Sequence, residues 1–232
     1  MRLLFATRNP GKLRELRRLV EGLPVQVLSL DDLPAPPPEV EEDGATLDEN
    51  ARKKASEYAR ATGLHALADD SGICVDVLYG LPGVRSARWS EGDAPLASPA
   101  CALGEAGTAE LGPEAARAAR DEANNDKLLR GLEGVPEEIR GAEYRAVLAL
   151  AGPGGDLLAT VSGTCRGRIA TARRGRGGFG YDPLFLPDAF PGRTMAELSP
   201  EEKDAVSHRG EAFRRLRPAL AALAVDESGR RG

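Results

Sequence analysis

A chain of 232 residues is long enough for one domain, or one two-lobed unit, with a substantial core. Its composition, 41% hydrophobic and 29% charged, is that of an ordinary soluble protein and excludes a largely disordered chain. The formal net charge of −5 argues against a nucleic-acid partner, which needs a basic face, and no apolar run approaches a membrane span.

Leu3-Leu4-Phe5-Ala6 reads as a buried strand that breaks into Thr7-Arg8-Asn9-Pro10-Gly11-Lys12. A helix follows with Leu13, Leu16, Leu19 and Val20 on one face, ending near Gly22. Strand, glycine-containing turn and helix N-terminus form the outline of an anion site, and Lys12 adds a point charge. No GxxxxGK[ST] loop is present, and many α/β chains begin in this way. Val25–Leu28 is a second strand. Asp31 to Pro38 is irregular and leads into an acidic cluster around Glu39, Glu41, Glu42 and Asp43. That cluster is either a solvated approach to a helix or a loop delivering a metal-binding carboxylate. Thr46 and Glu49 fit a capping box for a helix from Leu47 to Thr62 that stops at Gly63. Asn50, Lys53 and Lys54 in its first turns are expected to face water.

Ala66-Leu67-Ala68 then runs into Asp69-Asp70-Ser71-Gly72, with the strand-like Ile73–Leu78 beyond. Two adjacent carboxylates at a strand end, followed by a hydroxyl and a glycine, suit hard-cation and phosphate chemistry. A solvated turn uses the same residue types. Alternation along a strand sends neighbours to opposite faces, so the two aspartates should have different tasks. Cys74, with Cys101 and Cys165, forms no CxxC pair; the three read as reduced thiols, with a cytoplasmic setting.

Gly80-Leu81-Pro82-Gly83 is a turn, and residues 92–112, rich in Ala, Gly, Pro and Ser, read as a flexible surface insertion. A helix from Pro113 to Leu129 carries Asn124-Asn125-Asp126-Lys127, expected to be exposed or interfacial. Ala142–Ala151 and Leu157–Cys165 form a hairpin about Pro153-Gly154-Gly155. Strand–helix units thus give way to an antiparallel middle, which makes the fold class α/β with a mixed sheet. After an Arg/Gly loop comes Phe179-Gly180-Tyr181-Asp182-Pro183, whose aromatic rings suit either base stacking or a hydrophobic turn anchor. Lys203 lies on a short helix, and Ser207-His208-Arg209 opens a terminal helix with Phe213, Leu216, Leu220 and Leu223 inward and Pro218 as a kink. Residues 226–232 read as a disordered tail.

Thr7-Arg8-Asn9-Pro10-Gly11-Lys12, Asp69-Asp70-Ser71-Gly72, Phe179-Gly180-Tyr181-Asp182-Pro183 and Ser207-His208-Arg209 together resemble, in order and across the chain, the inosine/xanthosine triphosphate pyrophosphatase family. Glu41, Asn50, Asn124-Asn125 and Lys203 are weaker matches, and the insertion before Asn124 is longer than usual. The resemblance implies a single domain over residues 1–232. Its fold is two-lobed α/β, with an elongated curved mixed sheet flanked by helices and an active-site cleft between lobes. It also implies a homodimer and Mg²⁺-dependent hydrolysis of purine nucleoside triphosphates such as ITP, dITP or XTP to monophosphate and pyrophosphate. By the same carry-over, Thr7, Asn9 and Lys12, with Arg8, Pro10 and Gly11 in their loop, hold the triphosphate. Glu41 and Asp70 hold Mg²⁺, and Asp70 is also the proton acceptor. Ser71, Phe179, Gly180, Tyr181, Asp182, Lys203, His208 and Arg209 line the nucleotide site, the last two donating to the purine carbonyl. A phosphatase with an aspartyl nucleophile and a nucleotide sensor without turnover are the competing readings.

Overall fold

The computed structural model of the protein describes residues 1–91 and 112–229, with side chains as far as Val225. The expected insertion therefore lies outside the described residues except for Gly112. The strands are β1 (Arg2–Phe5), β2 (Gln26–Leu28), β3 (His65–Val75), β4 (Gly141–Ala151), β5 (Leu157–Ile169) and β6 (Phe185–Pro187). The helices are α1 (Pro10–Leu19), α2 (Leu47–Thr62), α3 (Pro113–Gly131), α4 (Pro200–Val206) and α5 (His208–Gly229). One six-stranded sheet has the order β2-β1-β3-β4-β5-β6. β1 runs parallel to both β2 and β3, pairing Leu4 with Leu28 and with Ala66, whereas β5 and β6 are antiparallel. A tight turn closed by Gly152 N–H on the Asp156 carbonyl (2.9 Å) joins β4 to β5, which only an antiparallel pair allows. The fold is thus the expected α/β class with a mixed sheet.

The chain divides into two compact units, one of Met1–Ser71, Tyr144–Cys165 and the segment from Pro200 onward, the other of Gly72–Glu143 and Arg166–Ser199. In the first unit the parity of β1, β3 and β4 builds two hydrophobic cores. Leu4, Ala66, Ala68, Val147 and Ala149 pack with Ala51, Ala55 and Tyr58 of α2. Leu3, Phe5, Leu67, Leu148 and Leu150 pack with Leu16 of α1 and Phe213, Leu216 and Leu220 of α5. Truncating one of the larger side chains to Ala would cost about 2–5 kcal/mol. The α2 N-terminus is capped largely as expected. Thr46 Oγ1 accepts from Glu49 N (3.2 Å), while the Glu49 carboxylate reaches past the cap to Ala45 N (2.7 Å).

Two local readings are corrected. The Asp-Asp-Ser-Gly stretch is not a strand end, because β3 continues through it to Val75. Gly72 serves close approach rather than turning: a Cβ there would lie 2.1 Å from the Gly83 carbonyl oxygen, and the next residue, Ile73, donates its N–H to Ser86 Oγ (2.9 Å). The terminal helix continues through Pro218 to Gly229, four residues into the supposed tail, carried by the helix-favouring run around Ala219, Ala221, Ala222 and Ala224.

Candidate active site

Strand parity separates the two aspartates. Asp69 shares the face of Leu67 and meets α1 and α5, whereas Asp70 shares the face of Ala68 and meets α2. Asp69 is buried and has no unpaired oxygen. Lys12 of α1 donates to its Oδ1, Arg209 of α5 donates from Nε to Oδ2 (2.7 Å) and from Nη2 to Oδ1 (3.3 Å), and Ser71 Oγ lies 3.2 Å from Oδ1. Burial pushes the Asp69 carboxyl up, but the Arg209 and Lys12 charges outweigh it and hold Asp69 far below the usual carboxylate range. Arg209, only 2% exposed, reaches on through Nη1 to Glu15 and through Nη2 to Ser71 Oγ (3.1 Å). Glu15, itself buried, also pairs with Lys203 Nζ at 2.8 Å. Against the upward push of burial, the Arg209 and Lys203 charges bring the Glu15 pKa down to about 2. A continuous chain of alternating charge therefore runs Lys203–Glu15–Arg209–Asp69–Lys12.

Asp70 stands in a different field. Its Oδ2 accepts from Asn50 Nδ2 (3.1 Å), and Lys54 Nζ lies 3.6 Å from Oδ1. That ammonium is shared, since it also donates to Glu42 Oε1 (2.7 Å) and to the Asp69 carbonyl (2.9 Å). Burial pushes the Asp70 carboxyl above its ordinary pKa, Lys54 and Lys12 oppose it, and the Glu42 charge adds to the rise. Two adjacent carboxylates thus have proton affinities driven apart, one fixed as an anion and one poised to take a proton.

At the start of α1, Thr7 Oγ1 accepts from Asn9 N (3.1 Å), and Asn9 Oδ1 caps Gly11 N (2.9 Å) and Lys12 N (3.3 Å), with Pro10 in the first turn. The anion-site outline is therefore partly filled by the chain itself, and Lys12 rather than those two N–H groups carries its charge. Arg8 is half exposed, 4.0 Å from Glu39. At the start of α5, His208 stacks on Tyr144 (centroids 4.6 Å apart, planes 6° apart). Helix and strand meet there because residue 163 of β5 is glycine: a Cβ would lie 2.2 Å from the His208 carbonyl oxygen. His208 is buried, its Nδ1 has no partner among the described residues, and burial followed by the Arg209 charge lowers its pKa well below the usual value, so the ring is neutral at pH 7.

The second unit holds the Phe179-Gly180-Tyr181-Asp182 loop. Asp182 Oδ2 accepts from Phe179 N (2.9 Å), and Tyr181 donates its hydroxyl to the Ser86 carbonyl (2.9 Å). Tyr181 is buried, so of the two aromatic residues it is the turn anchor, and half-buried Phe179 is left as the stacking candidate. Gly180 donates its N–H to Asp121 Oδ2 (2.8 Å) and accepts from Asn125 Nδ2 (2.9 Å).

Lys12, Asp69, Asp70, Ser71, Lys203, His208 and Arg209 are thus brought into the first unit's buried cluster, while the aromatic loop belongs to the other unit. Several expectations are corrected. Asn50 and Lys54 face Asp70 rather than water, and Asn124 and Asn125 are buried because their amides hold loop backbone. Glu41 is exposed, and its neighbour Glu42 is the carboxylate that meets Lys54 Nζ, at 2.7 Å. The Arg209 guanidinium is engaged by the Glu15 and Asp69 carboxylates. Glu15 went unnoticed, although it lies one helical turn after Lys12 and one residue before Leu16, a spacing that turns it toward the same interior.

Residues 3–219 match the Ham1 family. A dITP/XTP pyrophosphatase of Anaeromyxobacter sp. (strain Fw109-5) is 68% identical over 227 residues, covering 97% of this chain and 98% of its own. One of Geobacter sulfurreducens is 52% identical, covering 94% of this chain and 96% of its own. Among solved structures, a HAM1 protein from Coxiella burnetii aligns over 96% of this chain and 99% of its own, with a TM-score of 0.74 at 33% identity. Matched in sequence almost from end to end and in fold over the same span, the chain belongs to the Ham1 family.

Proposed function

We propose that the protein hydrolyses non-standard purine nucleoside triphosphates, of the ITP, dITP and XTP kind, to the monophosphate and pyrophosphate, removing deaminated purines from the nucleotide pool. The observation that carries the reading is Asp70, a buried carboxylate with raised proton affinity, set among the ammonium groups of Lys54 and Lys12. Such a carboxylate is a general base in waiting: it takes a proton from water as the water oxygen bonds to phosphorus and the bond between the α- and β-phosphates breaks. Lys12, with Thr7 and Asn9 at the head of α1, is assigned to the triphosphate; burial lowers its pKa, and Asp69, fixed as an anion, opposes that fall and holds Lys12 in place. The dITP/XTP pyrophosphatases to which the chain is 68% and 52% identical support the substrate class.

A divalent cation fits the donor set. The described residues contain no cage of three or more ligating side chains, and Mg²⁺ takes one or two carboxylates, with water and substrate phosphate completing its shell. Asp70 would hold it, together with Glu41, as the family resemblance has it, or with Glu42, which the charge field of Asp70 favours. Bound there, the cation would neutralise phosphate oxygens and favour proton loss from water.

For the base, His208 and Arg209 were the expected partners of the purine 6-carbonyl. His208 keeps that role in the proposal: a neutral imidazole has one donor and one acceptor nitrogen, and its buried Nδ1 has no partner among the described residues. An adenine amino group in place of the carbonyl would leave such a donor unmatched, which is how a polar site rejects the wrong base. Phe179, Gly180, Tyr181, Asp182, Ser71 and Lys203 are assigned to the nucleoside by the resemblance, as is the homodimer, and the three cysteines without a CxxC pair carry the cytoplasmic setting. No helix among the described residues is long and apolar enough to cross a membrane.

The test is incubation with Mg²⁺ and ITP, XTP, ATP or GTP in parallel, with the phosphorus products identified by ³¹P NMR. Pyrophosphate and monophosphate from ITP and XTP, with ATP and GTP largely spared, is the expected result. Orthophosphate and diphosphate would replace the reading with a phosphatase, and ITP binding without turnover would replace it with a sensor.

A further inference from the structure

We propose that Asp121 and Asn125 of α3 are positioning residues that clamp Gly180 and so hold the Phe179–Asp182 loop in the shape that receives the nucleoside. The proposal rests on that loop being a nucleotide contact, as assigned above. Both polar groups of a single peptide residue are gripped: Asp121 Oδ2 takes the Gly180 N–H at 2.8 Å, and Asn125 Nδ2 gives to the Gly180 carbonyl at 2.9 Å. The two side chains are four residues apart, which puts them on one face of the helix. Gly180 has φ +62, a region its missing Cβ leaves open to it, so its own sterics set little of the loop's course, and the clamp fixes this residue where the Asp182–Phe179 and Tyr181–Ser86 bonds do not reach it.

The same helix face secures the facing segment. Asn124 accepts from Ser90 N (2.8 Å) and donates toward the Ser86 and Ala87 carbonyls (3.3 Å each), and Tyr181 donates to that same Ser86 carbonyl. One turn of α3 therefore fixes residues 86–90 and 179–182 together. The hold is made at a cost. Asn125 Oδ1 is buried with no partner among the described residues, a desolvation cost, and Asp121 is a carboxylate that burial pushes toward its neutral form. Apolar residues in their place would avoid these two costs but leave the Gly180 N–H and carbonyl without partners, so what the two side chains supply is the hold on Gly180.

The test compares Asn125→Leu, Asp121→Leu and the conservative Asp121→Asn, whose carboxamide oxygen still accepts. Steady-state ITP hydrolysis is read beside amide hydrogen exchange of the peptide that carries Gly180. The leucine variants are expected to raise KM about five- to ten-fold, the size of one or two lost hydrogen bonds, with kcat within about two-fold and Gly180 exchange faster. Asp121→Asn is expected to stay near the wild type in both readouts. An unchanged KM in both leucine variants, a fall in kcat without a rise in KM, or an asparagine variant as impaired as the leucine one would overturn the clamp. Were the wild-type protein unable to turn over ITP, the assigned function would fall instead, and Gly180 exchange in the leucine variants would alone decide for or against the clamp.

Discussion

Asp69 and Asp70 are consecutive residues of one strand, yet they answer to different helices: Asp69 to Lys12 of α1 and Arg209 of α5, Asp70 to Asn50 and Lys54 of α2. The first is held far below the ordinary carboxylate pKa by paired charge, and the second is pushed above it by burial. One strand thereby carries a permanent anion on one face and a proton acceptor on the other.

Replacing Asp70 by Asn should therefore separate activity from stability. Loss of a general base is expected to lower kcat by about 10²- to 10⁴-fold. A carboxyl whose folded pKa is raised costs stability at neutral pH, since its charged form is worse off folded than unfolded. Asp70→Asn should thus raise Tm rather than lower it. Scanning calorimetry beside the turnover assay checks both. An active variant, or one with a lowered Tm, would remove Asp70 from the proposed role.

The pH dependence of stability has two windows. His208 is neutral when folded and has a pKa well below its unfolded value. The unfolded state then binds the extra proton first, so stability falls as pH drops through about 6.5, by up to about 1.4 kcal/mol per pH unit. Asp69 and Glu15 have folded pKa values below their unfolded ones, so their stabilisation is complete above about pH 4.5 and is lost on further acidification, toward pH 2 for Glu15. Urea unfolding between pH 7.5 and 5 should show the first slope in the wild type and its absence in His208→Gln. A slope that persists in the variant would assign the effect to another group.

Arg209 is expected to behave as a brace and not as a base selector. It is 2% exposed and pairs with Glu15 and Asp69, which Arg209→Ala would strand as buried charges at a cost of about 3–5 kcal/mol. Denaturant unfolding should report that loss, with the ITP-to-GTP preference of the surviving folded protein little altered. A stable variant with relaxed preference would return Arg209 to direct base recognition.

Much of this was legible in the chain, and the missing part has a common cause. Helix limits at Thr46 and Gly63, the first strand but for a one-residue shift to Arg2–Phe5 and the divergent surroundings of Asp69 and Asp70 follow from caps and from the two-residue period, which are local. Asn50, Lys54, Asn124 and Asn125 carry polar side chains on helices and read as surface residues. Their burial is decided by partners 20, 15, 34 and 55 residues away, respectively Asp70, the Asp69 carbonyl, Ser90 and Gly180. Glu15 lies 194 residues from Arg209. Periodicity finds faces, but it does not find which charge meets which across the fold.

The same limit separates Glu41 from Glu42, and the difference can be measured. The structure exposes Glu41, while Glu42 Oε1 meets Lys54 Nζ at 2.7 Å. Glu42 also adds to the raised pKa of Asp70, so it lies within that carboxylate's field. If a divalent cation joins Asp70 there, Glu42 is the second carboxylate able to face it, and Lys54 is the group it would displace from between them. Glu42→Gln should then raise the Mg²⁺ concentration for half-maximal activity by about ten-fold, the loss of one charged ligand, while Glu41→Gln leaves it unchanged. Both variants should keep the wild-type Tm within a few degrees, because neither carboxylate is fully buried. Titrating activity against Mg²⁺ in the three proteins decides it: an effect confined to Glu41→Gln would restore the ligand named by the family resemblance and leave Glu42 as a partner of Lys54 only.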